Sequence, residues 1–187
     1  MLSAKIIGRA EDIVPDGAIE ADAAARGVEV LVIDHLRARN GATAPNRNGL
    51  PKSNYYAKAA QGDSVRSMVA GNVAVVEIGH PGISLHYEGG TVRPRPGKRA
   101  LAIPVDASVA TIWPSEAAGI GTGGADDEPY ALVWPKGSDH GWIKDTETNE
   151  LLWLLVPHAR IPADPTVLPS DAEILQAAGD AIQEARS

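Results

Sequence analysis

The chain has 187 residues, and it contains neither cysteine nor phenylalanine. Without cysteine there are no disulfide frameworks, thiolate zinc sites or cysteine nucleophiles. This absence fits assembly in a reducing compartment. Aromatic residues are also scarce, at 4% of the chain, with four Trp and four Tyr. The core must therefore be built from Val, Ile, Leu and Ala, with a few large aromatic side chains as anchors.

Positive charge is also in short supply, because the net charge is −7 and the pI is near 5.2. Such a balance disfavours general binding to nucleic acid or to a membrane surface through the overall field, although a local basic patch can still act. No apolar run reaches the length of a signal peptide or a membrane span. We therefore expect a soluble protein, assembled in the cytoplasm, with enough hydrophobic sequence (44%) for one compact domain.

A long helix near the N-terminus is the most strongly patterned element. From Ala18 to Leu36, small and apolar residues recur at steps of three and four, which is helical spacing. Pro15-Asp16 can open this helix and Asn40-Gly41 can stop it, so we predict a helix over residues 16–40. Residues 42–52 are polar and contain proline and glycine, and they predict an extended, arm-like loop.

The middle of the chain has the pattern of short strands. After a short helix at residues 54–60, β-branched segments at 64–69 and 72–79 flank Ala70-Gly71 and predict a hairpin. Residues 100–105 predict a third strand. Residues 106–113 are ambiguous between a helical turn and an extended segment. Residues 130–134 and 151–159 predict a second strand pair, with turns at 137–141 and 146–150.

The remaining segments complete the predicted fold. Residues 114–129 are rich in glycine and small residues and predict a flexible loop, and 160–169 predict a proline linker. A final helix is predicted over Asp171–Ala185, capped by Ser170. The fold class is therefore α+β: a single domain in which the long N-terminal helix and the C-terminal helix pack on a mostly antiparallel sheet, with extended loops or arms.

Histidines raise the question of catalysis or metal binding. His80 and His86 are six residues apart, with Glu88 nearby, but this spacing matches neither a helical nor a knuckle zinc site. The sequence also lacks a Gly-x-Ser-x-Gly nucleophile elbow. Gly121–Gly124 is followed by acids at Asp126–Glu128, which would repel a phosphate. We therefore predict no catalytic, cofactor-binding or metal-binding residues.

A basic segment stands out in this acidic chain. It contains Arg93, Arg95, Lys98 and Arg99, and no acid occurs between Glu88 and Asp106. Prolines stiffen its backbone, which lowers the entropy lost on docking. The segment could neutralise phosphates, dock on an acidic face of a partner or sister subunit, or be a solvated loop. Docking on protein is favoured, because the rest of the chain is acidic.

The large aromatic residues are candidates for core anchors or for interface contacts. Trp153 lies within an apolar run, Leu151–Val156, and is predicted to be buried. Trp142, next to Gly141, is the better candidate for the surface. Together with Tyr55 and Tyr56, Trp142 is predicted to take part in partner docking.

Several segments together carry a resemblance to a known family. They are His35–Asn40, Asn54–Ala60, Ile78–Ile83, Tyr87–Pro94 and Arg99–Pro104. Over roughly residues 16 to 105, the chain resembles the virion-morphogenesis proteins of Mu-like and related tailed phages and prophages, which are similar to tail-completion or neck components. None of these motifs is catalytic. The resemblance implies a structural role and an α+β core with a long N-terminal helix and an arm-like loop.

These observations lead to a functional prediction. We expect a non-enzymatic virion protein at the head–tail junction that assembles as an oligomeric ring. Its expected partners are further copies of itself and other connector, portal or tail proteins. Nucleic acid is not expected as a partner beyond the passage of DNA through the ring, and no membrane or cofactor is expected. The alternatives are a small phage hydrolase using His80, His86 and Glu88, and a tail-tip binding module.

Overall fold

The structure, a computed structural model, describes residues 4–6, 17–42, 54–70, 73–112, 114 and 129–187. Within this part of the chain, a long N-terminal helix, a C-terminal helix and antiparallel sheets confirm the predicted α+β class. The elements are β1 (Ala4–Ile6), α1 (Ala18–Ala42), α2 (Tyr55–Ala59), β2 (Val65–Ala70), β3 (Val73–Ile78), α3 (Ile83–Glu88), β4 (Gly90–Val92), β5 (Leu101–Pro104), β6 (Tyr130–Val133), β7 (Gly141–Asp145), β8 (Leu151–Val156), β9 (Ala159–Ile161) and α4 (Asp171–Arg186). Short 3-10 helices occur at Gly62–Ser64, Ala107–Val109 and Pro165–Val167.

The described chain divides into two compact units. The helical unit comprises the described parts of residues 1–43, 53–90 and 162–187, and the sheet unit comprises those of residues 91–161. Each unit has its own cluster of buried hydrophobic residues. The sequence pattern predicts one domain, because periodicity identifies which residues are buried but not which buried residues share a core.

The long helix α1 organises the helical unit. It runs from Ala18 to Ala42, which confirms the predicted helix, and its apolar stripe is buried along its whole length. The buried residues of this stripe are Ala21, Ala24, Ala25, Val28, Val32 and Leu36. Gly27 allows α4 to approach closely, because a Cβ there would lie 2.7 Å from the Cβ of Ala181. The helix contacts both α4 and the β2–β3 hairpin.

The predicted hairpin is confirmed. β2 and β3 pair antiparallel, with Val65 opposite Ile78 and Ala70 opposite Val73, and β1 pairs with the other edge of β3. Val65 and Ile78 are both buried in the same core as α1. The N-terminal helix α1 therefore packs against this hairpin.

The C-terminal helix begins as predicted at Asp171, with Ser170 as its cap. The Ser170 side chain accepts a hydrogen bond from the Glu173 N–H, and Glu173 reaches back to the Ser170 N–H at 2.8 Å, which is a capping box. The predicted proline linker at 160–169 is wrong. Its first two residues belong to β9, and Val167, in a 3-10 helix, is fully buried in the helical unit's core. Prolines here shape a packed turn.

The sheet unit is built on four antiparallel strands in the order β5-β8-β7-β6, around a core centred on Trp153. The predicted strands at 100–105, 130–134 and 151–159 are present, but β7 was not predicted, since all of it except Gly141 lies between the two predicted turns at 137–141 and 146–150. It lies between β6 and β8, which therefore do not pair with each other. Gly141, Lys144 and Asp145 interrupt the apolar pattern of β7, so the sequence gives no clear strand signal there.

The remaining predictions fall partly outside the described residues. The ambiguous segment at 106–113 forms the 3-10 helix Ala107–Val109, with Asp106 as its cap. The arm at 42–52 and the loop at 114–129 lie outside the described residues, apart from Ala42, Pro114 and Pro129, as does Trp113. β4 and β9 form a separate two-stranded sheet. No helix in the described ranges is both long and apolar enough to cross a membrane.

Candidate functional site: an aromatic–histidine cluster and a basic turn

Two tyrosines and two histidines meet in the helical unit. The Tyr55 ring lies edge-on to Tyr56, with 5.2 Å between centroids, and edge-on to His80 at 4.8 Å. The His86 ring lies 4.9 Å from that of Tyr55 and 6.0 Å from that of Tyr56. We call Tyr55, Tyr56, His80 and His86 the Tyr–His cluster. It joins the start of α2 to the turn after β3 and to α3.

The turn that completes this cluster depends on glycine. Gly82 has φ of +90°, and a Cβ at this position would lie 2.9 Å from the Tyr55 hydroxyl oxygen. That hydroxyl donates a hydrogen bond to the Pro81 carbonyl at 3.0 Å. Burial, together with the neighbouring Tyr56, raises the pKa of Tyr55 to about 12, so the phenol stays protonated and remains a donor. The turn and the tyrosine therefore fix each other.

Helix α3 is an element that the sequence pattern does not predict. His86–Glu88 form its last part, and the helix begins after Gly82 and ends at Gly89 with φ of +74°. The two glycines bound a helix of only six residues, too short for its periodicity to be visible in the sequence. As a result, His86 faces Tyr55, whereas Glu88 is exposed.

Arg39, in the last turn of α1, extends the cluster to a distant part of the chain. Its guanidinium pairs with Asp164 and donates to the Thr166 hydroxyl at 2.7 Å and to the Thr166 carbonyl at 3.1 Å. The guanidinium carbon also lies 5.3 Å from the centroid of the Tyr56 ring. Hydrogen bonds from Thr166, followed by the charge of Arg39, lower the pKa of Asp164. Arg39 thus holds the Pro165–Val167 turn against the end of α1.

His86 is tied to the same segment. Its backbone carbonyl accepts a hydrogen bond from the Asp164 N–H at 2.9 Å. Burial and the nearby positive charge of Arg39 lower the pKa of His86, and the charge of Asp164 opposes them. The imidazole is therefore mostly neutral near pH 7, and it packs against the tyrosines as an uncharged ring.

This arrangement is a structural joint between four segments. The described residues contain no group of three or more His, Asp or Glu side chains placed to hold a metal ion. The Nδ1 atom of His80 is buried without a hydrogen-bond partner among these residues. The structure brings His80 and His86 together on Tyr55, but it leaves Glu88 outside. Tyr55 and Tyr56, predicted as docking residues, are half-buried and contribute their rings to this joint.

Arg39, Asp164 and Thr166 were missed by the sequence interpretation. Arg39 is more than a hundred residues away from the other two, and a lone Arg in the last turn of a helix is already explained by the helix dipole. No local pattern connects that Arg to an Asp next to Pro165. The only sequence signal was Asp164-Pro165-Thr166 itself, which is typical of a capped turn.

The second feature is the basic turn, Arg95-Pro96-Gly97-Lys98, in the sheet unit. The Lys98 N–H donates to the Arg95 carbonyl at 2.9 Å, and Gly97 has φ of +82°, as a type II turn requires. Arg93, Arg95, Lys98 and Arg99 are all exposed, as the docking prediction needs. The Arg99 guanidinium carbon lies 4.3 Å from the centroid of the Trp134 ring, so this residue also contributes to packing.

A second turn of the same design follows Trp134. The Ser138 N–H donates to the Pro135 carbonyl at 3.1 Å, and Gly137 has φ of +81°. The Trp134 indole N–H donates to the Ser138 carbonyl at 3.0 Å, which fixes this turn. Lys136, at its tip, is exposed. The contact between Arg99 and Trp134 links the two turns, so their cations lie on one end of the sheet.

Trp142, the other predicted docking residue, is half-buried on β7. Its cross-strand neighbours are Val133 on β6 and Leu154 on β8, and Leu154 in turn pairs with Ile103 on β5. These four side chains share one face of the sheet, because directly opposed residues point the same way. None of them belongs to the core cluster around Trp153.

Comparison with known proteins adds no identification. No protein-family model, curated protein or solved structure matches this chain.

Proposed function

We propose that the protein is a non-catalytic structural component of a tailed-phage virion, acting at the head–tail junction as a subunit of an oligomeric ring. This is the role implied by the segments that resemble the virion-morphogenesis proteins. Further copies of the chain and neighbouring connector, portal or tail proteins are its proposed partners, and the assembled virion is its proposed location.

The observation that carries this proposal is the exposed basic segment at Arg93–Arg99. The chain is acidic overall, yet this segment presents four cations in and beside a turn whose backbone is fixed by Pro96 and Gly97. A rigid, charged projection loses little entropy on docking and favours a partner of opposite charge. A subunit of a ring needs such a surface to reach its neighbour.

The packing of the resembling segments gives further support. Asn40 accepts a hydrogen bond from the Ala57 N–H at 3.2 Å, Arg39 lies over Tyr56, and Tyr55 contacts His80. Residues from three of the five segments are therefore in contact with one another. Such mutual contacts are expected of a fold signature shared by a family of structural proteins.

Complementation of a phage that lacks this gene tests the proposal. Wild-type protein should restore infectious particles, and the Arg93→Glu/Arg95→Glu variant should fail, since like charges facing each other at an interface cost several kcal/mol. Electron microscopy should then show tailless heads and unattached tails. The Arg26→Glu/Arg37→Glu variant, which reverses two exposed cations on α1, is the matched control and should complement.

Two outcomes would contradict the proposal. Normal particles from the phage without this gene would remove the virion role altogether. A wild-type particle yield from the Arg93→Glu/Arg95→Glu variant would show that the basic segment is merely solvated. Both variants should remain folded, because exposed charges contribute little to folding stability.

A further inference from the structure

The four-stranded sheet of the sheet unit has two ends of opposite charge. The strand register defines these ends: Leu101 at the start of β5 pairs with Val156 at the end of β8, and Gly141 at the start of β7 pairs with Leu155. The end of β6 lies there as well, since Val133 pairs with Trp142. The segments before β5, after β6 and after β8 therefore all join the sheet at this end.

This first end is basic. Both type II turns lie here, because one leads into β5 and the other follows β6. The cations of this end are Arg95, Lys98, Arg99 and Lys136, and all four are exposed. Its one carboxylate among the described residues is Asp139, which contacts the ring of His140 at 2.9 Å. His140 and His158 lie near it and add further positive charge when protonated.

The opposite end is acidic. The β7–β8 connection carries Asp145, Glu147 and Glu150, and Asp106 follows β5 where its chain still bonds to Leu152 of β8. Lys144 is the one cation that the described residues place here, and its ammonium bonds the Asn149 side chain at 2.5 Å. This end therefore has four carboxylates against one ammonium, the reverse of the basic end.

Hydrogen bonds fix the conformation of the β7–β8 connection at the acidic end. One carboxylate oxygen of Asp145 accepts hydrogen bonds from the Thr148 N–H at 2.8 Å and the Glu147 N–H at 2.9 Å. These bonds lower the pKa of Asp145, so its carboxylate stays charged well below neutral pH. Glu147 and Glu150 are exposed and have no ion pair within the described chain. Their charges are therefore available to a partner.

The two ends do not neutralise each other within one sheet. Strands of five or six residues, such as β7 and β8, separate their ends by about 16–20 Å. Charges that far apart in water are screened at physiological salt, where the Debye length is about 8 Å. The opposite charges at the two ends are too far apart to pair within one sheet unit. They are therefore suited to a contact between different copies.

We propose that the basic end of the sheet unit in one copy docks on the acidic end of the sheet unit in a second copy. This deepens the ring proposed above and rests on it for its biological setting, while the contact itself is a property of the purified chain. The contact is heterologous: each copy uses one end to bind and offers the other end to the next copy. Repetition of such a contact closes into a ring or continues as a filament.

A second copy fits these observations better than nucleic acid does. The basic end carries few cations for phosphate binding, and the acidic end of the same unit would repel a polyanion lying along the sheet. A second copy, in contrast, presents a rigid cluster of carboxylates matched in number to the cations. The chain therefore contains both halves of the interface.

Mixing charge-reversed variants of the full chain tests this contact directly. Lys98→Glu/Lys136→Glu removes the positive charge of the basic end, and Glu147→Lys/Glu150→Lys removes the negative charge of the acidic end. Arg99, Asp106 and Asp145 are left unchanged because they also hold local structure. Sedimentation velocity at low ionic strength should show that wild-type chains associate and that either variant alone associates at least ten-fold more weakly.

The equimolar mixture is the decisive sample. Each reversed end then meets a reversed end of opposite sign on the other variant, so association should return in the mixture and weaken again as salt is added. A control pair, Lys58→Glu/Arg66→Glu, reverses two exposed cations of the helical unit and should associate like wild type. Circular dichroism should show all variants folded.

Three results would overturn the proposal: wild-type chains that remain monomeric, a reversed variant that associates like wild type, or a mixture that fails to recover. These results leave the virion role separately testable. Complementation by a chain that is monomeric in isolation would support the junction role with a different contact. If the purified chain associates as expected but fails to complement, the contact between copies is supported and the role at the head–tail junction is excluded.

Discussion

The helical unit and the sheet unit use their charged and aromatic residues in different ways. In the helical unit, Arg39, Tyr55 and His86 are turned inward to join segments that lie far apart in the sequence. In the sheet unit, Trp153 alone anchors a small core, and most charges lie at the exposed ends of the strands. This difference indicates that the helical unit's polar groups maintain the fold, whereas those of the sheet unit are available for contact.

The two units also differ in how their cores are filled. The helical unit relies on many aliphatic side chains, including Val32, Leu36 and Ile78, which are fully buried. Among the described residues, the sheet unit's core has five buried members, and one of them is Trp153. A core of many small contributors tolerates the loss of one methyl group, whereas a core built around one large ring depends on that ring.

The unfolding of the two units can be followed by different spectroscopic signals. All four tryptophans fall between residues 113 and 153, within the sheet unit's part of the chain, whereas the long helices belong to the helical unit. Tryptophan fluorescence therefore follows unfolding of the sheet unit. Helical circular dichroism follows unfolding of the helical unit.

The largest effect is expected for Val32→Asp. Val32 is fully buried in the helical unit's core, so the variant places an unpaired carboxylate there at a cost of several kcal/mol. The helical circular dichroism should be lost at a much lower temperature than in wild type. Val30→Asp is the control, since Val30 is 58% exposed on the same helix. An unchanged helical transition in Val32→Asp would show that the packing of α1 is misassigned.

The next effect is expected for Trp153→Ala in the sheet unit. Removing this buried ring should destabilise the unit by about 3–5 kcal/mol, because the remaining core is too small to collapse into the space. Trp142→Ala, on the half-exposed face, should cost clearly less. The measurement is denaturant unfolding followed by the fluorescence of the remaining tryptophans. Equal losses from the two variants would mean that the unit is not organised around Trp153.

The contrast between the units also explains what could be predicted from the sequence. Residues such as Val28, Val32 and Leu36 repeat at helical spacing, so α1 and its buried face are legible without any structure. The basic segment was equally legible as a run of cations stiffened by proline, although the turn at Arg95-Pro96-Gly97-Lys98 was not itself predicted. Both features depend on residues that are close together in the sequence, so they can be predicted without knowledge of the tertiary structure.

The features that were missed depend on contacts between distant residues. The pairing of Arg39 with Asp164 and the position of β7 between β6 and β8 both require knowledge of the tertiary arrangement. Gly141 and Lys144 hide the strand pattern of β7, and nothing near Arg39 identifies its partner. The cations proposed for docking could be named from the sequence, whereas the acidic end proposed to receive them appeared only with the sheet register.

A smaller loss of stability is expected for Arg39→Ala. Its side chain is 25% exposed and its hydrogen bonds reach Asp164 and Thr166, so the variant should lose about 1.5–3 kcal/mol, as is usual for hydrogen bonds to charged groups. Arg37→Ala is the neighbouring control, since its contact with Asp34 is exposed and should contribute less than about 1 kcal/mol. Helical circular dichroism in denaturant measures both. If the two variants lose equal stability, Arg39 is a surface charge rather than a joint.

The smallest effect is a pH dependence that originates at His86. Burial, and then the charge of Arg39, lower the pKa of His86 in the folded state below its unfolded value of about 6.5. Between these two pKa values, the unfolded chain binds more protons than the folded chain, so stability falls as the pH decreases. The contribution is fully present above about pH 6.5 and levels off below the folded-state pKa.

The variant His86→Gln isolates this effect. The stability difference between wild type and variant should shrink as the pH falls through about 6.5, because only the wild type loses the stabilisation from a neutral imidazole. Measurements from about pH 8 to 5.5 avoid the titration of most carboxylates. His158→Gln, an exposed change in the sheet unit, controls for the general effect of removing a histidine. A stability difference that is constant with pH, or that grows on acidification, would mean that His86 is not held neutral in the folded state. Arg39 would then be the one residue of this pair whose charge state contributes to joining the segments of the helical unit.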